Sequence, residues 1–185
     1  MKEAIIQMEW AFKNIYKNSS SIPKRSHIEF SETSSTLIMP GFLTQNPYYI
    51  VKILNISSIR KPSIVGTVNV FDYKSGKLLA LMDAGSITQI RTGAVSGLAT
   101  KYLSNKNSRY LCVFGTGVQA FSQVEAILEV RNISFIGVIG TSHSKGCSFS
   151  KKIEKKFSIE CQALNSFDIP QNSIICTATT SQLPL

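Results

Sequence analysis

The segment Tyr110-Leu111-Cys112-Val113-Phe114, followed at once by Gly115-Thr116-Gly117-Val118-Gln119-Ala120, constrains the fold of this chain more than any other. An apolar run that ends in closely spaced glycines and opens into helix-forming residues reads as strand, tight turn and helix. A phosphate-binding turn needs Gly115 for the bend and Gly117 so that backbone can approach a pyrophosphate. It also needs a small residue at 120 so that helix and strand can pack. The helix N-terminus then presents free N–H groups and partial positive charge to the anion. Gly115, Gly117, Val118, Gln119 and Ala120 are therefore cofactor-binding candidates. A bare GxGxxA turn also occurs without a ligand, so its surroundings decide.

Those surroundings alternate strand and helix. Residues 118–130 and 145–157 have helical patterning, and residues 134–140, 159–163 and 173–178 read as strands. This order predicts a parallel sheet with helices on its faces. An NAD site of this kind places an Asp or Glu at the end of the second strand to hold the ribose 2′-OH. Here that position reads Gly140-Thr141-Ser142-His143-Ser144-Lys145, without an acid. The hydroxyls of Thr141 and Ser142, with Lys145 nearby, suit a 2′-phosphate and favour NADP over NAD. His143 reads as an exposed loop residue.

The first 108 residues follow a different pattern. Ile5, Met8, Phe12, Ile15 and Tyr16 recur at helical spacing, predicting an amphipathic helix on a core. A polar loop follows at 18–23. Residues 25–39 read as short strands or loop closed by Met39-Pro40-Gly41, and residues 48–56 as a buried strand. Residues 66–83 form the clearest hairpin, turning at Tyr73-Lys74-Ser75-Gly76. Ser86 or Thr88 can cap a helix running to about Ser104, with Ile87, Ala94, Val95, Leu98, Ala99 and Tyr102 as its apolar stripe. The polar break at 105–108 sets the expected boundary between an incomplete α+β domain, 1–108, and an incomplete nucleotide domain, 109–185.

Two cations interrupt apolar faces in the first part. Lys52 shares a strand face with Ile50 and Leu54, and Arg91 falls on the helix stripe. A buried cation must be paired or await an anionic ligand. The alternatives are a snorkelling side chain or an internal ion pair. With Arg25, these residues could form a pocket for a carboxylate, the arginines gripping it and the lysine acting as a point charge.

Composition narrows the function classes. The 185 residues are 43% hydrophobic and 17% charged, a globular balance, and the formal net charge is +9. Residues 1–108 carry 13 basic and 6 acidic side chains, with no Lys/Arg block interleaved with aromatics, which argues against nucleic acid as partner. Lys151, Lys152, Lys155 and Lys156 read as a solvated helix face. The four cysteines lack metal-ligand spacing, and no metal site is expected. No apolar stretch is long enough for a membrane span and the N-terminus lacks a signal-peptide core, so a cytoplasmic, reducing location is expected.

The hairpin GTVNVFDYKSGKLLALMD, the following AGSITQIRTGAVSGLATKYLS and the turn VFGTGVQAFSQVEAI together resemble the ornithine cyclodeaminase/mu-crystallin family. The resemblance implies a dimerising substrate domain followed by a Rossmann-type domain that uses NAD or NADP. It implies hydride transfer between the cofactor and an L-amino acid or its imine, ending in cyclodeamination, dehydrogenation to a 2-oxo acid, or ketimine reduction. By motif, Arg25 and Arg91 match positions that hold the substrate carboxylate, Lys52 the lysine at the reacting carbon, and Thr92 a residue near the cofactor. Lys52 and Arg91 are the catalytic candidates. Thr177, Ala178 and Thr179 match the strand-end segment that passes the adenosine and nicotinamide. Thr141 stands where many NADP-using relatives have Arg.

The family's catalytic aspartate and later Rossmann strands lie beyond the last residues here. The chain is therefore expected to be a truncated family member, homodimeric if complete. The alternative is a catalytically inactive fragment that binds NAD(P) or small carboxylates. Asp83 reads as a turn or capping residue and Asp72 as part of the hairpin.

Overall fold

The computed structural model describes residues 1–17, 20–44, 46–165 and 169–181. It is mixed α/β, with one antiparallel and one parallel sheet. Asn18 and Ser19, in the expected polar loop at 18–23, lie outside the described residues. Compactness separates residues 9–88 from a unit formed by residues 1–8 and 89–185.

Residues 9–88 are built on an antiparallel sheet. Its strands are β1 (Ser20–Ser21), β2 (Ser26–Ser31), β3 (Ser34–Leu43), β4 (Tyr48–Ser57), β5 (Ile64–Asp72) and β6 (Leu78–Asp83), in the order β1-β3-β4-β5-β6, with β2 also on β3. The β5–β6 hairpin forms as the sequence predicts, and Gly76 takes φ +68° in its turn. Met39-Pro40-Gly41 does not end the preceding strand. β3 runs through it, because β2 pairs only as far as Ile38 and β1 begins at Phe42. Proline is tolerated in that gap, where the strand lacks a second neighbour.

β4 is less buried than its apolar sequence suggests. Leu54 is enclosed, Lys52 is half-buried, and Tyr48 and Ile50 are exposed. Leu54, Val68 and Ala84 make a small core with Leu37, Met39 and Ile87.

The other unit holds the parallel sheet β7 (Tyr110–Phe114), β8 (Phe135–Ile139), β9 (Glu160–Ala163) and β10 (Ile174–Thr177), in the order β10-β7-β8-β9. The helices α3 (Val118–Leu128) and α4 (His143–Phe157) alternate with the strands, as the sequence pattern predicts. Leu111, Val113, Val124, Ile127, Ile136, Val138 and Ile153 are almost completely enclosed in its core. At roughly 1.5–3 kcal/mol per fully buried aliphatic side chain, this cluster is the main source of the unit's hydrophobic stabilisation.

Helices α1 (Lys2–Tyr16) and α2 (Ala84–Leu103) each contribute residues to both units. Ile5 is buried with Ala94, Leu98 and Ala126, but Phe12, Ile15 and Tyr16 are exposed, so the expected apolar stripe is enclosed only at its start. On α2 the enclosed residues are Ala84, Gly93, Ala94, Gly97, Leu98 and Thr100, while Ala99, Tyr102 and Arg91 are exposed. The expected stripe, with Arg91 on it, is therefore displaced. The helix packs through small residues: a Cβ on Gly93 would collide with the Ser122 carbonyl, and one on Gly97 would lie 2.9 Å from Ala126 Cβ. The C-terminal end of α2 is capped by Arg131, whose Nη2 donates to the carbonyls of Thr100 at 2.8 Å and Lys101 at 2.9 Å.

Candidate functional site

A crevice opens beyond the C-terminal ends of β7, β8 and β10. Its volume is about 630 Å³, within the range of small-molecule pockets. β8 lies on one side of β7 and β10 on the other: strand order runs outward from β7 through β8 to β9 and resumes with β10 on the opposite side of β7. In open parallel sheets, ligands bind at this kind of switch point.

Main-chain bonds tie the three strand ends together. Gly115 N–H donates to Ile139 O at 2.9 Å, and Ala178 N–H donates to Phe114 O at 2.7 Å. Gly115 adopts φ +114°, and a Cβ there would collide with the Ala178 carbonyl. Only glycine meets both demands. Gly117 differs: its backbone is extended, and a Cβ would meet nothing within 4 Å. Its missing side chain leaves open space at the crevice instead of relieving packing.

Gly117 is also the N-cap of α3 and supplies no side-chain cap. The first-turn N–H groups of Val118, Gln119 and Ala120 consequently have no helical acceptor. They carry the positive end of the helix dipole. Ala120 is fully buried, as helix–strand packing requires, Val118 is exposed, and Gln119 is half-buried with its Oε1 enclosed and without a hydrogen-bond partner among the described residues. A pyrophosphate fits this arrangement, with backbone donors, a dipole, and space where a side chain would stand.

The crevice brings together Gly115, Gly117, Thr141, Ala178 and Thr179 from the sequence-based candidates. Thr116, Gly140, Lys145, Thr180 and Ser181 also line it. Gly140 was legible in principle, since small residues stand just beyond all three strand ends, at Gly115, Gly140 and Ala178. Ser142 is the N-cap of α4, its Oγ accepting from Lys145 N–H at 3.3 Å. Thr177 ends β10 and is exposed.

The remaining candidates fall elsewhere. In residues 9–88, Lys52 on β4 pairs with Met39 on β3, and Arg25 immediately precedes β2, whose first residue Ser26 pairs with Ile38 on β3. Arg25 is exposed. Arg91 and the half-buried Thr92 lie on the part of α2 that belongs to the other unit. Asp83 is occupied: its Oδ1 accepts from Ser86 N–H at 2.6 Å, which makes Asp83 the start of α2 in place of the expected Ser86 or Thr88. This hydrogen bond, followed by one from the Ser86 side chain, holds the Asp83 carboxyl below its usual range.

A sequence model described as the ornithine cyclodeaminase/mu-crystallin family matches residues 1–185. A Delta(1)-pyrroline-2-carboxylate reductase of Bacillus cereus is 32% identical over all of this chain and 59% of its own length. Ketimine reductase mu-crystallin of Rattus norvegicus is 28% identical over 80% of this chain and 48% of its own. The solved Delta(1)-pyrroline-2-carboxylate reductase of Thermococcus litoralis, in complex with NADH and L-proline, is 34% identical with a TM-score of 0.85, covering 90% of this chain and 53% of that one. The matched region thus spans about half to three-fifths of the length of these relatives.

Proposed function

The chain belongs to the ornithine cyclodeaminase/mu-crystallin family, and on that premise we propose that it serves NAD(P)-dependent hydride transfer between a nicotinamide and a small cyclic imine or L-amino acid. The observation that carries this reading is the crevice at Gly115 and Gly117, with its unsatisfied helix start and open approach for a pyrophosphate. The relatives named for reduction of Delta(1)-pyrroline-2-carboxylate make that imine acid the first substrate class to test.

A bound reduced nicotinamide would supply the hydride that, with a proton at nitrogen, converts the imine to an amine. The protein's share is to bind and orient. We assign the substrate carboxylate to Arg25 and Arg91, the reacting carbon to Lys52 and the neighbourhood of the cofactor to Thr92, on their motif matches. Arginine suits a carboxylate through its two-pronged donor geometry. The nucleotide falls to Gly115, Gly117, Val118, Gln119, Ala120, Thr141, Ser142, Thr177, Ala178 and Thr179. We read NADP as the preferred form, because no acid stands at the end of β8. Residues 1–108 are assigned to substrate binding and homodimerisation, and residues 109–185 to the nucleotide.

A second reading, nucleotide or carboxylate binding without turnover, is favoured by Asp83. The helix start already uses its carboxylate, so it is a poor proton carrier. One experiment separates the two. NADH and NADPH fluorescence titrations of the purified chain measure binding, and absorbance records their oxidation with Delta(1)-pyrroline-2-carboxylate and related imines. Binding with turnover supports hydride transfer, binding alone supports the second reading, and absence of nucleotide binding removes hydride transfer and the nucleotide form of the second reading.

A further inference from the structure

Lys145 breaks a local rule of helix construction. It stands in the first turn of α4, where the dipole favours anions, and that turn contains no acidic residue. Lys145 lines the crevice and is the only charged residue among the described residues that do so. Among the described residues, no carboxylate pairs with it. Its Nζ instead donates to Thr141 Oγ1 at 3.1 Å.

This contact uses one of the three ammonium donors and fixes the direction of a long, exposed side chain. Thr141 Oγ1 accepts that bond, so its own O–H remains able to donate. Both residues follow the end of β8, the position at which this class of sheet meets the adenosine ribose. Nearby, Ser142 Oγ caps Lys145 N–H and Ser142 O accepts from Gly146 N–H at 3.1 Å. The N–H groups of His143 and Ser144 have no helical partner. Ammonium, hydroxyl and helix start therefore concentrate positive potential at one edge of the crevice, without an acid to neutralise it.

We propose that Lys145, positioned by Thr141, is the residue that selects a 2′-phosphorylated nucleotide over one with a free 2′-OH. The inference rests on the dinucleotide reading above and deepens it by naming how one cofactor form is chosen. Lys145 is the binding residue and contacts the phosphate as a point charge. Thr141 is the positioning residue.

The test uses the full chain and two probes, 2′,5′-ADP and 5′-AMP, each measured by calorimetry and by displacement of NADPH fluorescence. The wild type is expected to bind 2′,5′-ADP more tightly, with the stronger salt dependence. Lys145→Met should weaken 2′,5′-ADP about 10- to 100-fold, the effect of losing one charge-assisted hydrogen bond, and leave 5′-AMP within about threefold. Lys145→Arg should restore most of the preference, and Thr141→Val should reduce the preference by a smaller factor than Lys145→Met. Lys145 is exposed, and circular dichroism of each variant checks that the fold is kept. Equal binding of the two probes by wild type, or an equal loss of both in Lys145→Met, would overturn the selection mechanism alone. Wild type that binds neither probe and neither dinucleotide would overturn the nucleotide reading itself, and this proposal with it.

Discussion

Gly115 lies against the carbonyl of Ala178, so the turn after β7 and the segment after β10 share a space in which no side chain fits. The Ala178 N–H to Phe114 O bond, 2.7 Å, holds the two segments at that distance. Gly115→Ala must therefore strain a left-handed backbone and push Ala178 away. We expect a stability loss of roughly 1–3 kcal/mol, together with weaker NAD(P)H binding. Urea unfolding and fluorescence titration measure the two effects, and an unchanged unfolding midpoint would contradict the packing argument.

Gly117→Ala should behave differently. Its backbone is in a region open to any residue, and an added methyl meets no protein atom within 4 Å. Thermal stability should stay near wild type while dinucleotide affinity falls, because the methyl enters the open space that the proposed function assigns to the pyrophosphate. Unaltered affinity would show that the ligand approaches from elsewhere.

Gly93 tests the contact between α2 and α3. A methyl there runs into the main chain of Ser122, with the carbonyl carbon at 2.7 Å and Ser122 Cβ at 2.9 Å. Main chain cannot rotate away as a long side chain can. Gly93→Ala should cost about 1–3 kcal/mol by overpacking, read from denaturant unfolding. A neutral result would mean that the helices separate without loss.

These contacts explain which parts were legible in the sequence. β7, the turn at Gly115 and α3 combine an apolar run, glycines and helical spacing in one short segment, and each local preference agrees with the fold. α2 misleads because its enclosed face is made of Gly93, Ala94 and Gly97, which carry little hydrophobic signal, while exposed Ala99 and Tyr102 suggest a stripe. Pro40 misleads because its tolerance depends on where β1 and β2 stop, a relation between distant segments. In the candidate site, Gly115 and Gly117 of the turn after β7 were evident. The Lys145–Thr141 contact was not, because proximity in sequence does not state where an ammonium points.

Asp83 gives a pH-dependent prediction. The Ser86 backbone hydrogen bond stabilises the ionised carboxylate and lowers its folded-state pKa below the ordinary value of 3.8. The stabilisation is therefore present above the unfolded-state pKa and is lost as pH falls through the folded one. Asp83→Ala should lower Tm at neutral pH, whereas Asp83→Ser, which can still cap, should recover part of the loss. The difference between wild type and Asp83→Ala should shrink in acid. A difference that persists after the carboxyl is protonated would assign the effect to packing.

Burial divides the four cysteines into two classes of reactivity. Cys112, Cys161 and Cys176 are only 3%, 3% and 6% exposed, whereas Cys147 is half-buried on α4. Desolvation raises the Cys112 thiol, pushes Cys161 up to about 11 and pushes Cys176 up to about 12. Cys176 also donates its S–H to Gln123 Oε1 at 2.7 Å, which favours the protonated form. Thiolate is the reactive species, so the enclosed thiols combine poor access with a small ionised fraction. Alkylation of the folded chain by iodoacetamide at mildly alkaline pH should mark Cys147 first, with the other three following only in denaturant. Peptide mass spectrometry resolves the order, and early modification of Cys176 would show that the sheet opens at β10 under native conditions.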